Sequence, residues 1–209
     1  MKVLLINGSP RKCGNTFTAL SEIAKTLEKE GFDAEMAWIG NKPVRGCIAC
    51  GRCKSGEPYP DGHKGCVFND DICNAMSAKF EEADALVFGS PVYYGQPNGT
   101  LLCLMQRAFF SNGDAVRNKP TAAVAICRRG GATAALQTLL MPMQIMNMPI
   151  VTSQYWNIAY GREEGQAVQD LEGMQTMRTL AHNLARMLRG LSNEPLPERE
   201  VITQTHFIR

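Results

Sequence analysis

The chain has 209 residues, 44% of them apolar and 20% charged, with a formal net charge of +2. That suits one domain large enough to bury its own core. It gives no electrostatic case for nucleic acid or a membrane surface as partner, and no apolar run approaches the roughly 18 residues of a membrane-spanning helix. The opening "MKVLLINGSPRK" has an apolar core too short for a signal peptide, so a reducing cytoplasm is the expected compartment. Eight cysteines there argue against a disulfide framework and towards thiols, metal or cluster.

In chain order, "KVLLIN" (2–7) reads as a strand buried on both faces and ended by Gly8. Phe17, Leu20, Ile23, Ala24 and Leu27 recur at helical spacing over 15–30, and Gly31 stops that helix. "AEMAWIG" (34–40) is a second strand. Residues 41–69 are rich in Gly, Pro and Cys without periodicity, an insert of a length that usually carries function. A helix follows from Asp70 to about Ala83, then a strand at 84–90, the loop "PVYYGQPNG", and a helix over 100–110 with Leu101, Leu102, Met105, Ala108 and Phe109 inward. A fourth strand (119–127), a helix over 132–146 containing Pro142, a fifth strand (148–156) and a long helix over 165–189 complete the pattern. Leu171, Met174, Met177, Leu180 and Leu184 form the apolar stripe of that last helix. Residues 1–190 are thus one domain with the insert 41–69, and 191–209 form a tail or an arm for a partner subunit.

Five buried strands alternating with helices specify an α/β fold, a doubly wound five-stranded parallel sheet of flavodoxin-like strand order 2-1-3-4-5. A ligand then belongs at the carboxyl ends of the strands. "NGSPRKCGNT" (7–16) joins a strand to a helix N-terminus through small residues, the arrangement that binds a phosphate. It is neither a P-loop nor the G-x-G-x-x-G fingerprint. "GSPVYYGQPNG" (89–99) offers an irregular backbone and two tyrosine faces, which suit a flat heteroaromatic ring or simply a packed surface turn. "CRRGG" (127–131) offers close backbone approach and positive charge.

Together, "LLINGSPRKCGNT", "GSPVYYGQPNG" and "RRGG" resemble the three FMN-binding loops of the NADPH-dependent FMN reductase family, over about residues 1–190. "CIACGRC" resembles the branch of that family that includes the iron–sulfur flavoproteins. The resemblance implies tightly bound FMN, with NAD(P)H as co-substrate. Ser9, Arg11, Asn15, Thr16 and Phe17 would hold the phosphate end. Pro91, Val92, Tyr93, Tyr94 and Gly95 would line the isoalloxazine, and Arg129, Gly130 and Gly131 its pyrimidine edge. "YWN" (155–157) would complete a wall. It also implies a homodimer or homotetramer with each flavin near a subunit interface.

Cys47, Cys50 and Cys53 form C-x2-C-x2-C, and Cys66 follows after 12 residues. Such a set matches the ligands of a [4Fe-4S] cluster, with Cys73 as a weaker fourth ligand than Cys66. Zinc, with His63 joining, and free thiols are the other two readings. The expected function is an FMN-dependent oxidoreductase passing electrons from NAD(P)H or ferredoxin to a small-molecule acceptor: a quinone, nitro or azo compound, flavin or oxygen. A flavodoxin-type electron carrier and a cysteine-based redox sensor are the alternatives. The charge of +2 counts against the carrier, because flavodoxins are usually acidic.

Overall fold

Val3, Leu4, Leu5 and Ile6 are all fully buried, so β1 (Lys2–Asn7) must have apolar layers on both its faces. The computed structural model describes residues 1–196 and shows how this is met. β1 pairs in parallel with β2 (Asp33–Trp38) on one side and β3 (Ala85–Tyr93) on the other. β5 (Thr121–Cys127) follows β3, and β6 (Ile158–Tyr160) closes the sheet, giving the order β2-β1-β3-β5-β6. A sixth, two-residue strand, β4 (Gln96–Pro97), folds back antiparallel on the end of β3.

Side chains alternate across the sheet and feed two cores. Val3, Leu5, Val87 and Val124 pack under α1 (Asn15–Lys29) and α5 (Leu171–Leu191), which bring Leu20, Ile23, Met177 and Leu184. Leu4, Ile6, Leu86 and Phe88 pack under α2 (Cys73–Glu82), α3 (Gly99–Ser111) and α4 (Ala132–Ile145), which bring Phe80, Leu101, Phe109 and Leu139. Each such side chain contributes about 1.5–3 kcal/mol by leaving water. No helix among the described residues is long and apolar enough to cross a membrane.

The doubly wound flavodoxin-like order holds, with β4 added; β5 is the expected fourth strand, and β6 takes the fifth place in the order. Four details differ from the expectation. The expected fifth strand at 148–156 makes only an isolated bridge, Thr121 to Ile150. The chain pairs along β5 over three residues only at Ile158–Tyr160, although Ile150 and Val151 also pack against the two cores. The expected loop "PVYYGQPNG" is partly strand: β3 runs on to Tyr93 and turns through Tyr94 and Gly95, both at positive φ (52° and 75°), the signature of a type I′ hairpin. α5 starts at Leu171, capped by the Asp170 carboxylate on Gly173 N–H (2.9 Å), and Leu171 itself is 77% exposed rather than part of the stripe. In α3, Leu104 is fully buried, whereas Leu102 is only partly so. Of the expected tail 191–209, residues 197–209 lie outside the described residues.

Candidate functional site

The loops that leave β1, β3, β5 and β6 meet at the carboxyl edge of the sheet. The first is built by its own side chains. Asn7 Oδ1 accepts from Ser9 N–H (3.1 Å) and Asn7 Nδ2 donates to Lys12 C=O (3.0 Å), which curls the loop onto the end of its strand. Arg11 N–H donates to Ser9 Oγ (3.1 Å), leaving the Ser9 hydroxyl hydrogen free to donate. Trp38 Nε1 at the end of β2 donates to Ser9 C=O (2.7 Å). Gly8 permits a close approach: a Cβ there would lie 2.6 Å from Leu101 Cδ2 and 2.8 Å from Gly89 C=O. Asn98 Nδ2 donates to Gly8 C=O (2.6 Å) while its Oδ1 caps α3, so the first loop and the start of α3 are one unit.

No side chain caps α1 at Gly14, and its first turn carries no acidic residue. The positive end of that helix dipole therefore faces the loop with its N–H groups uncapped. A cavity of about 180 Å³ lies there, lined by Ser9, Arg11, Asn15 and Thr16 from the first loop, Pro91, Val92 and Tyr93 from β3, and Arg128, Gly161 and Arg162 beyond. Arg128, Gly161 and Arg162 also line an adjoining space of about 580 Å³ with Arg129 and Tyr160. Arg129, Gly130, Gly131, Tyr155, Trp156 and Tyr160 line a third of about 410 Å³. Shared walls make these one trough, at a size that holds a cofactor.

The expected residues thus gather, with exceptions. Tyr94 is fully exposed at the hairpin tip, outside these cavities. Gly95 instead carries a contact: a Cβ on Gly131, whose φ is +86°, would come within 2.8 Å of Gly95 Cα. The hairpin therefore rests on the loop after β5. Phe17 is half-buried and not on the cavity wall. The Asn15 side chain is engaged elsewhere, donating to Glu163 C=O (2.8 Å) and accepting from Ala167 N–H (3.0 Å). It pins the loop after β6, and only its place in the first turn of α1 is left for an anion. Gly161 and Arg162 were not among the expected site residues. They follow the true last strand, and the misplaced strand at 148–156 hid them.

The cysteine insert leaves β2 and returns into α2. Its only regular element is one 3-10 turn, Arg52–Lys54. Arg52 lies over the Tyr59 ring (4.7 Å) and donates to Glu57 and Pro58 carbonyls (2.9 and 3.1 Å). Tyr59 stacks on His63 at 4.0 Å. His63 pairs with Asp61, whose carboxylate raises the imidazole pKa above its ordinary value. His63 Nε2 also lies 3.0 Å from Cys66 C=O. Asn74 of α2 grips both backbone groups of Cys66, each at 2.8 Å. The stretch between Cys53 and Cys66 is thus folded back on itself, and it delivers Cys66 to the other three.

Cys47, Cys50, Cys53 and Cys66 line one small, partly open cavity of about 20 Å³ together with Arg107, Phe110 and Ser111. Cys73 is not on that wall; it is buried at the start of α2, and desolvation pushes its thiol pKa up to about 12. Arg107, 1% exposed, ties both ends of the insert by donating to Arg45 C=O (3.2 Å), Phe68 C=O (2.8 Å) and Asp71. Burial opposes its charge, but hydrogen bonds with Asp71 and Cys66 outweigh that and hold its pKa above the ordinary arginine value. No sequence pattern flagged Arg107, since one arginine on an apolar helix has no partner visible in sequence.

The first site fits FMN on its own evidence: an uncapped helix N-terminus with Ser9 and Arg11 for a phosphate, an apolar strip of Pro91 and Val92 for a ring, and arginines at the far side. The second fits an iron–sulfur centre in its donors, four soft thiols around one space. Its arrangement is tighter: among the described residues no three Cys, His, Asp or Glu side chains stand in metal-holding geometry, and 20 Å³ admits about one water.

The sequence pattern of the NADPH-dependent FMN reductases matches residues 1–163. An iron–sulfur flavoprotein of Methanocaldococcus jannaschii is 32% identical over 197 residues, covering 90% of this chain and 98% of that protein. One from Methanosarcina thermophila is 29% identical over 194 residues, covering 90% and 95%. Among solved structures, RosB with bound 8-demethyl-8-formylriboflavin-5'-phosphate aligns with a TM-score of 0.72 at 16% identity, over 99% of this chain and 92% of that one. At that identity the likeness speaks for the fold.

Proposed function

Because the chain belongs to the NADPH-dependent FMN reductase family, whose members are flavin-dependent oxidoreductases, we propose that it binds FMN in the carboxyl-edge trough and works as an oxidoreductase on a small-molecule acceptor. The observation that carries this is the uncapped N-terminus of α1 opening onto a cavity walled by Ser9, Arg11, Thr16, Pro91, Val92 and Arg128.

FMN, when bound, supplies hydride and single-electron chemistry, drawing on NAD(P)H or ferredoxin and serving quinones, nitro or azo compounds, flavins or oxygen. The chain's own residues do the rest. The Ser9 hydroxyl, Arg11 and the first-turn N–H groups neutralise and orient a phosphate. Pro91 and Val92 keep water from one face of the ring. Arg128 and Arg129 place positive charge where negative charge develops on reduction, which favours the reduced form. Tyr155 and Trp156, 5.1 Å apart and both more than half exposed, offer an aromatic wall for donor or acceptor. The exposed Tyr94 and that wall also suit cover by a second copy of the chain, in a homodimer or homotetramer.

A second reading concerns the insert. Cys47, Cys50, Cys53 and Cys66 are the residues that would hold a [4Fe-4S] cluster, which would supply one-electron transfer. Its support is the shared cavity and the names of the two archaeal relatives. Anaerobic purification with flavin, iron, sulfide and zinc assays tests both readings. The expected result is one FMN per chain, bleached by NADPH, NADH or reduced ferredoxin and restored by a quinone. A chain without flavin sinks the first reading. A flavin that no donor reduces with turnover leaves a carrier, not an enzyme. Zinc in place of iron and sulfide sinks the cluster.

A further inference from the structure

Beyond the phosphate loop, the trough has a cationic end and an aromatic end. The space of about 580 Å³ carries Arg128, Arg129 and Arg162, and the space of about 410 Å³ carries Tyr155, Trp156 and Tyr160. Arg129, Tyr160 and Asp170 line both, so one end runs into the other. A flavin phosphate and ring edge draw on Arg11, Arg128 and Arg129; Arg162, brought in behind β6, is charge beyond that need. Its backbone is fixed. Arg162 N–H donates to Gln166 Oε1 (2.8 Å), Gly161 N–H donates to Cys127 C=O (3.0 Å), and a Cβ on Gly161 would lie 2.7 Å from Asn15 Nδ2. Little on the protein neutralises this end. Asp170 is engaged by Gly173 N–H (2.9 Å) and Tyr160 N–H (2.8 Å). Among the described residues Arg128 and Arg129 form no ion pair, and Arg162 meets only Glu163 (3.1 Å), an exposed pair worth little in water. Tyr155, Trp156 and Tyr160 are each about half exposed, at 59%, 58% and 47%. Rings left in water beside guanidinium groups suit a ligand with a flat apolar body and a negative head.

We propose that the electron acceptor is a planar aromatic compound bearing an anionic group, its ring on Tyr155, Trp156 and Tyr160 and its charge on Arg162 and Arg129. This rests on the FMN reading above and names the substrate class of that site. A sulfonated or carboxylated quinone is the type. Its reduction takes a hydride from the reduced cofactor and a proton from water to give the hydroquinone, and leaves the anionic group untouched. Arg162 is a specificity residue: it sets which ring binds, not how the hydride moves.

The test uses the whole chain saturated with FMN, as wild type, Arg162→Gln and Trp156→Ala. Anthraquinone-2-sulfonate and anthraquinone-2-sulfonamide share a ring and differ in charge. Isothermal titration of the oxidised protein, with no donor present, should show the sulfonate binding about tenfold tighter, an advantage that shrinks as salt is raised. Arg162→Gln should cut that ratio about threefold, whereas Trp156→Ala should weaken both probes alike. With NADPH or NADH as donor, kcat/KM for the two quinones should follow the same ratio. Equal affinity for the two probes in a flavin-loaded chain overturns this inference and leaves the FMN reading standing. An Arg162→Gln chain that cannot hold FMN gives the arginine to the cofactor and overturns it too. So does a variant that changes only the preference between NADPH and NADH, since the charge then serves the donor. A wild-type chain that takes up no FMN overturns the cofactor reading, and this inference with it.

Discussion

The loops after β1, β3, β5 and β6 lean on strands and on one another: Gly8 on Gly89, Asn98 on Gly8, Gly131 on Gly95, Asn15 on Glu163 and Ala167. The cysteine insert has no strand to lean on. It is held at its mouth by Arg107 and Asp71, at its end by Asn74, and inside by the Arg52–Tyr59–His63 stack. One region inherits its geometry from a parallel sheet, whose strands must end together. The other depends on a few polar contacts, several of them made by the buried Arg107. The two should therefore fail separately, and each can be broken without the other.

The largest effect is expected from Asp71→Ala. It leaves a buried guanidinium without its counter-charge, at about 3–5 kcal/mol. Trypsin should then cut at Lys54 and Lys64 much faster than in wild type, while FMN per folded chain is unchanged. FMN lost in step with the insert would erase the distinction. Gly8→Val acts on the other side. Its side chain meets Leu101 and the Gly89 carbonyl, costs about 1–3 kcal/mol by overpacking, and should abolish FMN retention with tryptic cleavage of the insert unmoved. The smallest change is Asn74→Ala, which frees the backbone of Cys66. It should cost about 1 kcal/mol, lower Tm by about 2–4 °C in differential scanning calorimetry, and speed hydrogen exchange at residues 63–67 alone. Exchange that also quickens over 7–16 would show the regions to be coupled.

The same contrast sets what could be read in advance. Strands buried on both faces announce themselves as apolar runs, so three of the four edge loops were legible from residues 2–7, 84–90 and 119–127, while the sheet order followed from the fold class those alternating strands and helices specify. The fourth loop was missed because "MPIVTSQYW" looks more like a strand than "IAY" does, and only tertiary pairing decides between them. Tyr94 was expected on the ring together with Tyr93, through the resemblance of the whole loop; the type I′ turn at Tyr94 and Gly95 sends it away from the cavity that Tyr93 lines. In the insert, the thiols were plain and their supports were not. Asn74, Arg107 and Asp71 lie 5 to 60 residues from the cysteines they organise, and such polar contacts carry no periodic signal.

The insert departs from β2, which pairs with β1 alone and so forms the rim of the sheet. A segment spliced in at a rim displaces nothing. Each doubling of its length adds only about 0.6 kcal/mol of closure entropy, provided its two ends still meet the α3 arginine. The architecture thus has a natural graft point, where a segment can be lengthened or shortened while the edge built by the loops after β1, β3, β5 and β6 keeps its geometry.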